Sequence, residues 1–281
     1  MMKKVVVMLG LGGLSVAGAQ EAEAPLRYQT GQVSLLGGKA QLNTGAGLRY
    51  LDAAGAQQVI VSQWGNPPEA AEDVLGMIVP AGLDPSTKQG WGVVITESKD
   101  GHVSDQDAAG IKYDELMRTM QAATAEDNQA REEAGFGTVS LVGWADQPRY
   151  DAATHKMYWA KELTFSDSPG DHTLNYAVRV LGRDNVLELN AVAGMAQLPQ
   201  IKRDMAAVLK QVSFTPGARY EDFNSGTDKV ATYGLAGLLG VAAAKKVGLL
   251  AGALLFLKKG WVLVLAALGG LGRLLGRRAR G

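Results

Sequence analysis

The stretch from His155 to Glu162 holds the densest group of chemically capable side chains in this sequence. It combines an imidazole, a phenol, two amines, an indole and a carboxylate. On an extended strand alternate residues face opposite sides, so Tyr158 and Glu162 share one face. His155 and Lys161 share the other face. Histidine and glutamate can both act as general bases, so one hypothesis is a hydrolase that uses His155 with Glu162 or Asp107.

The same residues also fit a solvated strand face with ion pairs across the sheet to Arg179 or Arg183. The sequence contains no Gly-x-Ser-x-Gly motif, no Walker A motif and no dinucleotide-binding glycine pattern after a strand. A serine–lysine pair assembled in space stays open, because nothing in the spacing singles one out. The missing nucleophile signature favours a non-enzymatic protein and leaves the hydrolase as the alternative.

Tryptophan residues provide a second group of candidates, because an indole ring offers a large apolar area with one polar atom. They could line a groove for a sugar or a peptide. They could also pack on the core at strand ends, which is the interpretation that we favour. If a groove exists, the candidate ligand-binding residues are Trp64, Asn66, Trp144, Tyr158, Trp159, Lys161 and Arg183.

The residue types indicate neither a metal centre nor a bound cofactor. The chain has no cysteine and three histidines, which excludes disulfides, iron–sulfur clusters and cysteine-ligated zinc. Asp100, Asp105, Asp107 and Asp114 could hold calcium, but the spacing of an EF-hand loop is missing. Turns and helix capping explain these carboxylates as well. We therefore expect no metal and no cofactor.

Hydrophobic periodicity predicts the elements that position these residues. Apolar spacing indicates two long helices, and apolar alternation indicates an antiparallel meander of strands followed by a covering helix and a last strand. Shorter strands and a helix capped by Asp52 precede them. The main predicted elements are helix Tyr113–Glu133, strands Thr138–Ala145, Lys156–Phe165, Thr173–Gly182 and Val186–Ala193, helix Leu198–Gln211 and strand Val212–Phe214.

These elements predict an α+β fold in which helices cover an antiparallel sheet. At the level of architecture the arrangement resembles the PsbP-like fold, an analogy that carries no function. We place the domain at residues 20–229, with a boundary at Gly226–Lys229, where the composition changes.

Charge is distributed very unevenly along the chain. All 28 acidic residues lie between Glu21 and Asp228, whereas residues 230–281 contain eight Lys and Arg and no acid. An acidic central domain repels phosphate backbones, so we expect no binding to nucleic acid. A neutral total charge that hides such asymmetry is typical of a membrane protein.

The two ends predict export and membrane anchoring. Residues 1–19 have the paired lysines, short apolar run and small residues of a signal peptide. Residues 230–281 form a C-terminal region of apolar blocks with a basic tail, which indicates a transmembrane helix region. An uncleaved N-terminal anchor and a peripheral amphipathic helix are the alternatives at the two ends.

The number of membrane spans is open because lysine pairs interrupt the apolar blocks. A single span over Gly260–Gly276 would leave the arginine tail in the cytoplasm. A hairpin of Tyr233–Leu257 and Gly260–Leu275 would leave the tail outside, so we favour the single span. Glycines spaced for close helix approach suggest self-association through this region. They are Gly234, Gly237, Gly240, Gly248 and Gly252.

An ordered set of short blocks resembles the bacterial membrane-anchored proteins of domain-of-unknown-function family 2167. The blocks include Trp64-Gly65-Asn66, Leu141–Ala145, His155–Leu163, Leu181-Gly182-Arg183 and Asp228–Gly234. The resemblance implies a signal sequence, an extracytoplasmic domain and a C-terminal anchor. It implies no catalytic residue.

Together these features predict a non-enzymatic envelope protein of the bacterial cytoplasmic membrane, with its main domain on the extracytoplasmic side and its C-terminus in the cytoplasm. The expected partners are the lipid bilayer and an envelope protein, peptide or glycan. A transport or assembly role through the C-terminal region is a weaker alternative.

Overall fold

The computed structural model describes residues 24–64, 68–87, 90–133, 137–166 and 168–239. No helix within these ranges has both the length and the apolar character needed to cross a membrane. The predicted signal peptide and the chain after Leu239 lie outside the described residues, and so does Asn66.

The described chain is rich in strands. The strands are β1 Tyr28–Gln29, β2 Gln32–Leu35, β3 Ala40–Asn43, β4 Leu48–Asp52, β5 Gly76–Pro80, β6 Gly92–Ser98, β7 His102–Ser104, β8 Val139–Asp151, β9 Lys156–Phe165, β10 His172–Leu181, β11 Val186–Gly194, β12 Val212–Phe214 and β13 Val230–Gly234. The α-helices are α1 Ala53–Gln57, α2 Tyr113–Glu133, α3 Leu198–Gln211 and α4 Leu235–Leu238. Asp52 caps α1 by accepting from the Gly55 N–H at 2.9 Å, and the helix widens into a π-helical turn at Gln58–Gln63.

An antiparallel sheet of eight strands organises the domain, in the order β1-β4-β5-β6-β11-β10-β9-β8. Strands β8 to β11 follow one another in the chain and pair with their neighbours, which confirms the predicted meander. The α+β prediction, with a large antiparallel sheet and few helices, is therefore confirmed.

One face of the main sheet packs against α3 and a small sheet of β2, β3 and β12. The apolar residues of β10 on this face, such as Leu174 and Val178, join Ile201, Met205 and Val208 of α3 in the largest core cluster. Each of these side chains contributes about 1.5–3 kcal/mol by leaving water. We call this side of the sheet the α3 face.

The opposite face is covered by several separate elements, and we call it the α2–α4 face. Helix α1 and the turn that follows it cover one cluster, and α2 covers a second cluster through Met117 and Met120. A third cluster lies beneath the C-terminal segment and contains Leu235, Leu238 and Leu239.

Strand β8 forms one long edge of the main sheet. Side chains of α2 make hydrogen bonds to some of the backbone groups at this edge. Gln121 donates its side-chain N–H groups to the carbonyls of Leu141 and Val142, both at 3.1 Å. Asn128 bonds both backbone groups of Val139, at 2.8 and 2.9 Å. Three register irregularities against β9 further disrupt this edge. Capping and irregular pairing both discourage pairing with another chain.

The ordered part of the chain continues past residue 229, the predicted end of the domain. Strand β13 pairs in parallel with β7, and the N–H of His102 donates to the carbonyl of Lys229 at 2.8 Å. Leu235, Leu238 and Leu239 are buried in the domain. An apolar segment looks the same in sequence whether it enters a protein core or a membrane, so the prediction assigned it to the anchor.

Two of the glycines predicted to bring membrane helices together lie inside this docked segment. A Cβ at Gly234 would come within 2.6 Å of the Asp107 carboxylate, and a Cβ at Gly237 would come within 2.6 Å of the Tyr233 ring. Their small size thus serves packing within the domain. The other glycines of that series lie outside the described residues.

Candidate functional site

Six side chains meet where the turn before β9, the loop after β7 and residues 219–223 come together. We call them the His155 cluster. It consists of His102, Asp105, Tyr150, His155, Tyr220 and Phe223. The sequence drew attention to His155 and to Asp105, but to none of the aromatic residues around them.

A chain of polar contacts connects His155 to a carboxylate. The Tyr150 hydroxyl donates to Asp105 Oδ2 at 2.8 Å, and its oxygen lies 3.0 Å from His155 Nδ1. Because the hydroxyl proton is used on Asp105, the tautomer of a neutral His155 that fits this contact donates from Nδ1 and has Nε2 as an acceptor. Burial and the neighbouring Asp105 raise the pKa of Tyr150 far above its usual value, so it stays protonated. This arrangement orients an imidazole in the way a general base requires.

Stacked rings hold the two histidines of the cluster in place. His155 stacks on Tyr220 at 4.1 Å between centroids, and His102 stacks on Phe223 at 3.8 Å. His102 also lies 4.3 Å from Tyr220, so this tyrosine joins the two imidazoles. The Tyr220 hydroxyl donates to the Val103 carbonyl at 3.1 Å, which ties the stack to β7.

The backbone of His155 adopts a left-handed conformation, with φ of 50°. This region costs an L-residue free energy, although histidine occupies it more readily than most residues. Its carbonyl accepts from the Leu181 N–H at 2.9 Å, which fixes the peptide to β10. Residues held in such conformations concentrate at functional sites.

The predicted partners of His155, Asp107 and Glu162, make contacts with other residues. Asp107 accepts from the N–H groups of Leu235 and Ala236, at 2.9 and 3.1 Å, and so caps α4. Glu162 pairs with His172. Glu162 lies seven positions after His155 along an extended chain, a distance of about 23 Å. Glu162 therefore lies far from His155 and Asp107 bonds α4, whereas Asp105 is the carboxylate that Tyr150 connects to His155.

Arg183 lies next to the His155 cluster and connects it to Asp228. Its guanidinium makes a two-pronged ion pair with Asp228, at 2.7 and 2.9 Å. The arginine and the N–H of Asn224 hold the pKa of Asp228 well below its usual range. His102 Nδ1 donates to the Arg183 carbonyl at 3.2 Å. The residue predicted to bind a ligand thus fixes the chain that leads into β13.

The predicted groove of tryptophans is not assembled, because most of these rings are buried. Trp159 is 1% exposed on the α2–α4 face, and Trp64 donates its indole N–H to the Pro85 carbonyl at 2.8 Å. Trp144 is partly exposed and donates to the Tyr113 carbonyl at 3.3 Å. Tyr158 lies on the α3 face beneath the Arg149 guanidinium, 5.0 Å from the ring centroid.

Lys161 lies on the α2–α4 face, next to Asn175 of the neighbouring strand. Burial and the nearby Arg179 guanidinium lower the pKa of Lys161 to about 7. The sequence singled out Lys161, but it could not show that the residue shares its surroundings with a second cation, because Arg179 comes from another strand.

A cleft of about 360 Å³ lies elsewhere on the domain and is lined by none of the predicted site residues. It borders Asp228, the partner of Arg183. Its lysines and acids balance, with ion pairs Lys39–Asp184 at 3.0 Å and Lys99–Glu97 at 3.3 Å. The cleft therefore carries no excess charge that would select a ligand.

The sequence profile of one family matches residues 27–269, and its description is "Protein of unknown function (DUF2167)". The chain belongs to this family. The resemblance inferred from the sequence blocks is thereby confirmed. Among curated proteins, no relative matches this sequence.

Two solved structures show limited similarity to this member of the DUF2167 family. The cyanobacterial PsbP protein (CyanoP) of Synechocystis sp. PCC 6803 is 11% identical, with coverage of 74% of this chain and 99% of that chain, and a TM-score of 0.37. The Ran-binding protein Mog1p of Saccharomyces cerevisiae is 10% identical, with coverage of 67% and 96% and a TM-score of 0.34. At these TM-scores neither likeness supports an inference about function.

The lowered pKa of Lys161 predicts a specific dependence of stability on pH. Between the folded pKa of about 7 and the ordinary value of 10.5, the unfolded chain binds more protons at this residue. The free energy of unfolding should therefore rise with pH from about 7 to about 9, by up to about 1.4 kcal/mol per pH unit from this group. In Lys161→Met this contribution should vanish, as measured by chemical denaturation at several pH values.

Lys210→Met provides the control, because Lys210 is exposed on α3. It should preserve the pH dependence of the wild-type chain. Parallel stability curves for the wild type and Lys161→Met would show that the Lys161 amine is ordinarily solvated.

Proposed function

We propose that this chain is a membrane-anchored bacterial envelope protein whose folded domain is a binding module outside the cytoplasmic membrane. The observation that carries the proposal is the docking of Val230–Leu239 onto the domain. The acid-free apolar sequence begins within this segment and continues after Leu239. The sequence therefore offers no polar linker between the domain and the predicted anchor, and the domain would lie close to the bilayer.

The exposed side chains along the β8 edge, and not its capped backbone, form the surface that we expect a partner to contact. Val142 lies on this edge and is 45% exposed, one of two large hydrophobic residues with such exposure in the described ranges. The other, Val230, lies at the start of the docked segment. Trp144 borders the same edge and is partly exposed. The partner would be an envelope protein, a peptide or a glycan.

Single cysteines test both parts of the proposal, because the natural chain has none. Val142→Cys should react with a membrane-impermeant maleimide in cells whose cytoplasmic membrane is intact and whose outer envelope lets the reagent through. Arg280→Cys should react only after lysis, because a single span places the tail in the cytoplasm. A photoactivatable maleimide attached to Val142→Cys should yield a defined cross-linked product.

Two further variants serve as controls. Leu174→Cys is fully buried and should react only after denaturation. Ala207→Cys is exposed on α3 and should yield no such product. Labelling of Arg280→Cys from outside would indicate the hairpin. Protection of Val142→Cys until lysis would refute an extracytoplasmic domain, and identical products from Val142→Cys and Ala207→Cys would refute this binding surface.

A second candidate function is hydrolysis or another proton transfer with His155 as the general base. The specific observation in its favour is the contact chain Asp105–Tyr150–His155, which leaves Nε2 as an acceptor. Its partner carboxylate is Asp105, in place of Glu162 or Asp107.

Complementation of a strain that lacks this protein distinguishes this candidate from the binding module. His155→Gln and Tyr150→Phe should each abolish complementation if His155 is a base, because the first removes the base and the second its oriented contact. His172→Gln makes the same change at an exposed histidine and should complement fully. If folded His155→Gln protein complements as well as His172→Gln, the catalytic hypothesis fails.

A further inference from the structure

The centre of the α2–α4 face contains a group of largely buried polar side chains whose joint arrangement none of the preceding hypotheses uses. We call it the polar band, and it consists of Lys161, Asn175, Arg179 and Asn190. Asn175, Arg179 and Asn190 are 3%, 8% and 6% exposed. Apolar clusters border the band beneath α1, α2 and α4.

Strand register brings these side chains around Ala177. Asn190 and Trp159 are the direct neighbours of Ala177 on the two adjacent strands, and Lys161 is the direct neighbour of Asn175. The Arg179 guanidinium donates to Asn190 Oδ1 at 3.2 Å, and its central carbon lies 5.1 Å from the centroid of the Trp159 ring. The guanidinium therefore bends back along its strand, towards Lys161.

Two N–H donors in this place have no acceptor. Asn175 Nδ2 and Trp159 Nε1 are both buried and make no hydrogen bond to any of the described residues. A buried donor without a partner is costly and uncommon in folded proteins. Both groups lack the same kind of partner, which is an oxygen acceptor.

The charges of the band also favour an acceptor. Lys161 and Arg179 lie near enough for the guanidinium to disfavour the protonated amine. Glu188 faces them from β11, with its carboxylate 3.5 Å from the Arg179 guanidinium and 3.4 Å from the Thr96 hydroxyl. The Arg179 guanidinium thus adds a positive charge beside the Trp159 ring, whose N–H is one of the two unpartnered donors.

We propose that the polar band binds an oxyanion, the carboxylate or phosphate group of a small ligand, between Lys161, Asn175, Arg179 and the Trp159 indole. The N–H groups of Asn175 and Trp159 donate to its oxygens, and the two basic side chains balance its charge. This site is separate from the His155 cluster and from the β8 edge. Lys161 keeps partial exposure and marks the side from which the anion enters.

The test uses the full-length chain in detergent and follows its indole N–H resonances by NMR while sodium acetate or inorganic phosphate is added, against sodium chloride at equal ionic strength. The Trp159 resonance, assigned with Trp159→Phe, should shift saturably. Trp91 is an internal control, because its buried indole N–H also lacks a partner but lies on the α3 face. Saturation at lower concentration by acetate or by phosphate identifies the anion as a carboxylate or a phosphate.

Variants then locate the anion. Arg179→Gln and Lys161→Gln should each weaken binding by about tenfold, because each removes a charge-assisted contact. Asn175→Leu removes a donor at nearly constant volume and should weaken binding while it stabilises the anion-free chain, since no buried donor is left unpaired. Lys210→Gln makes the same charge change on the exposed side of α3 and should bind as the wild type does.

Three results would overturn the proposal. The first is a Trp159 resonance that moves no more than that of Trp91 with either anion, which would mean that water supplies the acceptor. The second is unchanged affinity in Asn175→Leu and Arg179→Gln. The third is an equal loss in Lys210→Gln, which would indicate nonspecific charge screening. Unaltered Trp91 resonances in each variant verify that the fold is intact.

Discussion

The carboxylate of Asp107 holds the C-terminal segment against the domain, and the arrangement around His155 depends on that contact. It accepts two backbone hydrogen bonds at the start of α4, a helix too short to be stable alone. This contact keeps Leu235 and Leu238 in their cluster and keeps β13 beside β7. Strand β7 in turn carries His102 and leads into Asp105. The geometry of the His155 cluster is thus coupled to the segment that leads into the predicted anchor.

The main sheet separates two kinds of packing. The α3 face is a continuous apolar core beneath one amphipathic helix and a small sheet. The α2–α4 face is divided among three clusters with polar side chains between them. A continuous apolar core favours rigidity and leaves no place for polar chemistry. The divided face supplies both the polar band and the docking surface for the C-terminal segment.

Local sequence patterns predicted most of the elements, and several limits coincide with the observed ones. Tyr113–Glu133, Lys156–Phe165, Leu198–Gln211 and Val212–Phe214 begin and end at the predicted residues. Their periodicity is strong, and glycine, proline or polar turns bound them. Strand β8 is longer than predicted because its register irregularities carry pairing past Ala145, where the alternation of apolar residues fails.

The candidate site was much less predictable than the fold. His155 was identified from its residue type, but its partner Asp105 comes from a loop far away in sequence, and Tyr150 reaches it only because the chain turns back before β9. The tryptophans were ambiguous because an indole suits a groove and a core equally well. The polar band required the register of three strands, which no local pattern encodes.

Hydrogen exchange of the full-length chain tests most directly whether Val230–Leu239 is an integral part of the domain. Amides of this segment should be protected in the wild type. In Asp107→Ala, exchange of this segment and of His102–Ser104 should accelerate by at least about tenfold, because each capping bond contributes about 1–3 kcal/mol. Strands β9 to β11 should be unchanged, and Asp171→Ala at an exposed carboxylate should have no effect. Exchange of Val230–Leu239 at the rate of an unstructured peptide in the wild type would contradict the account.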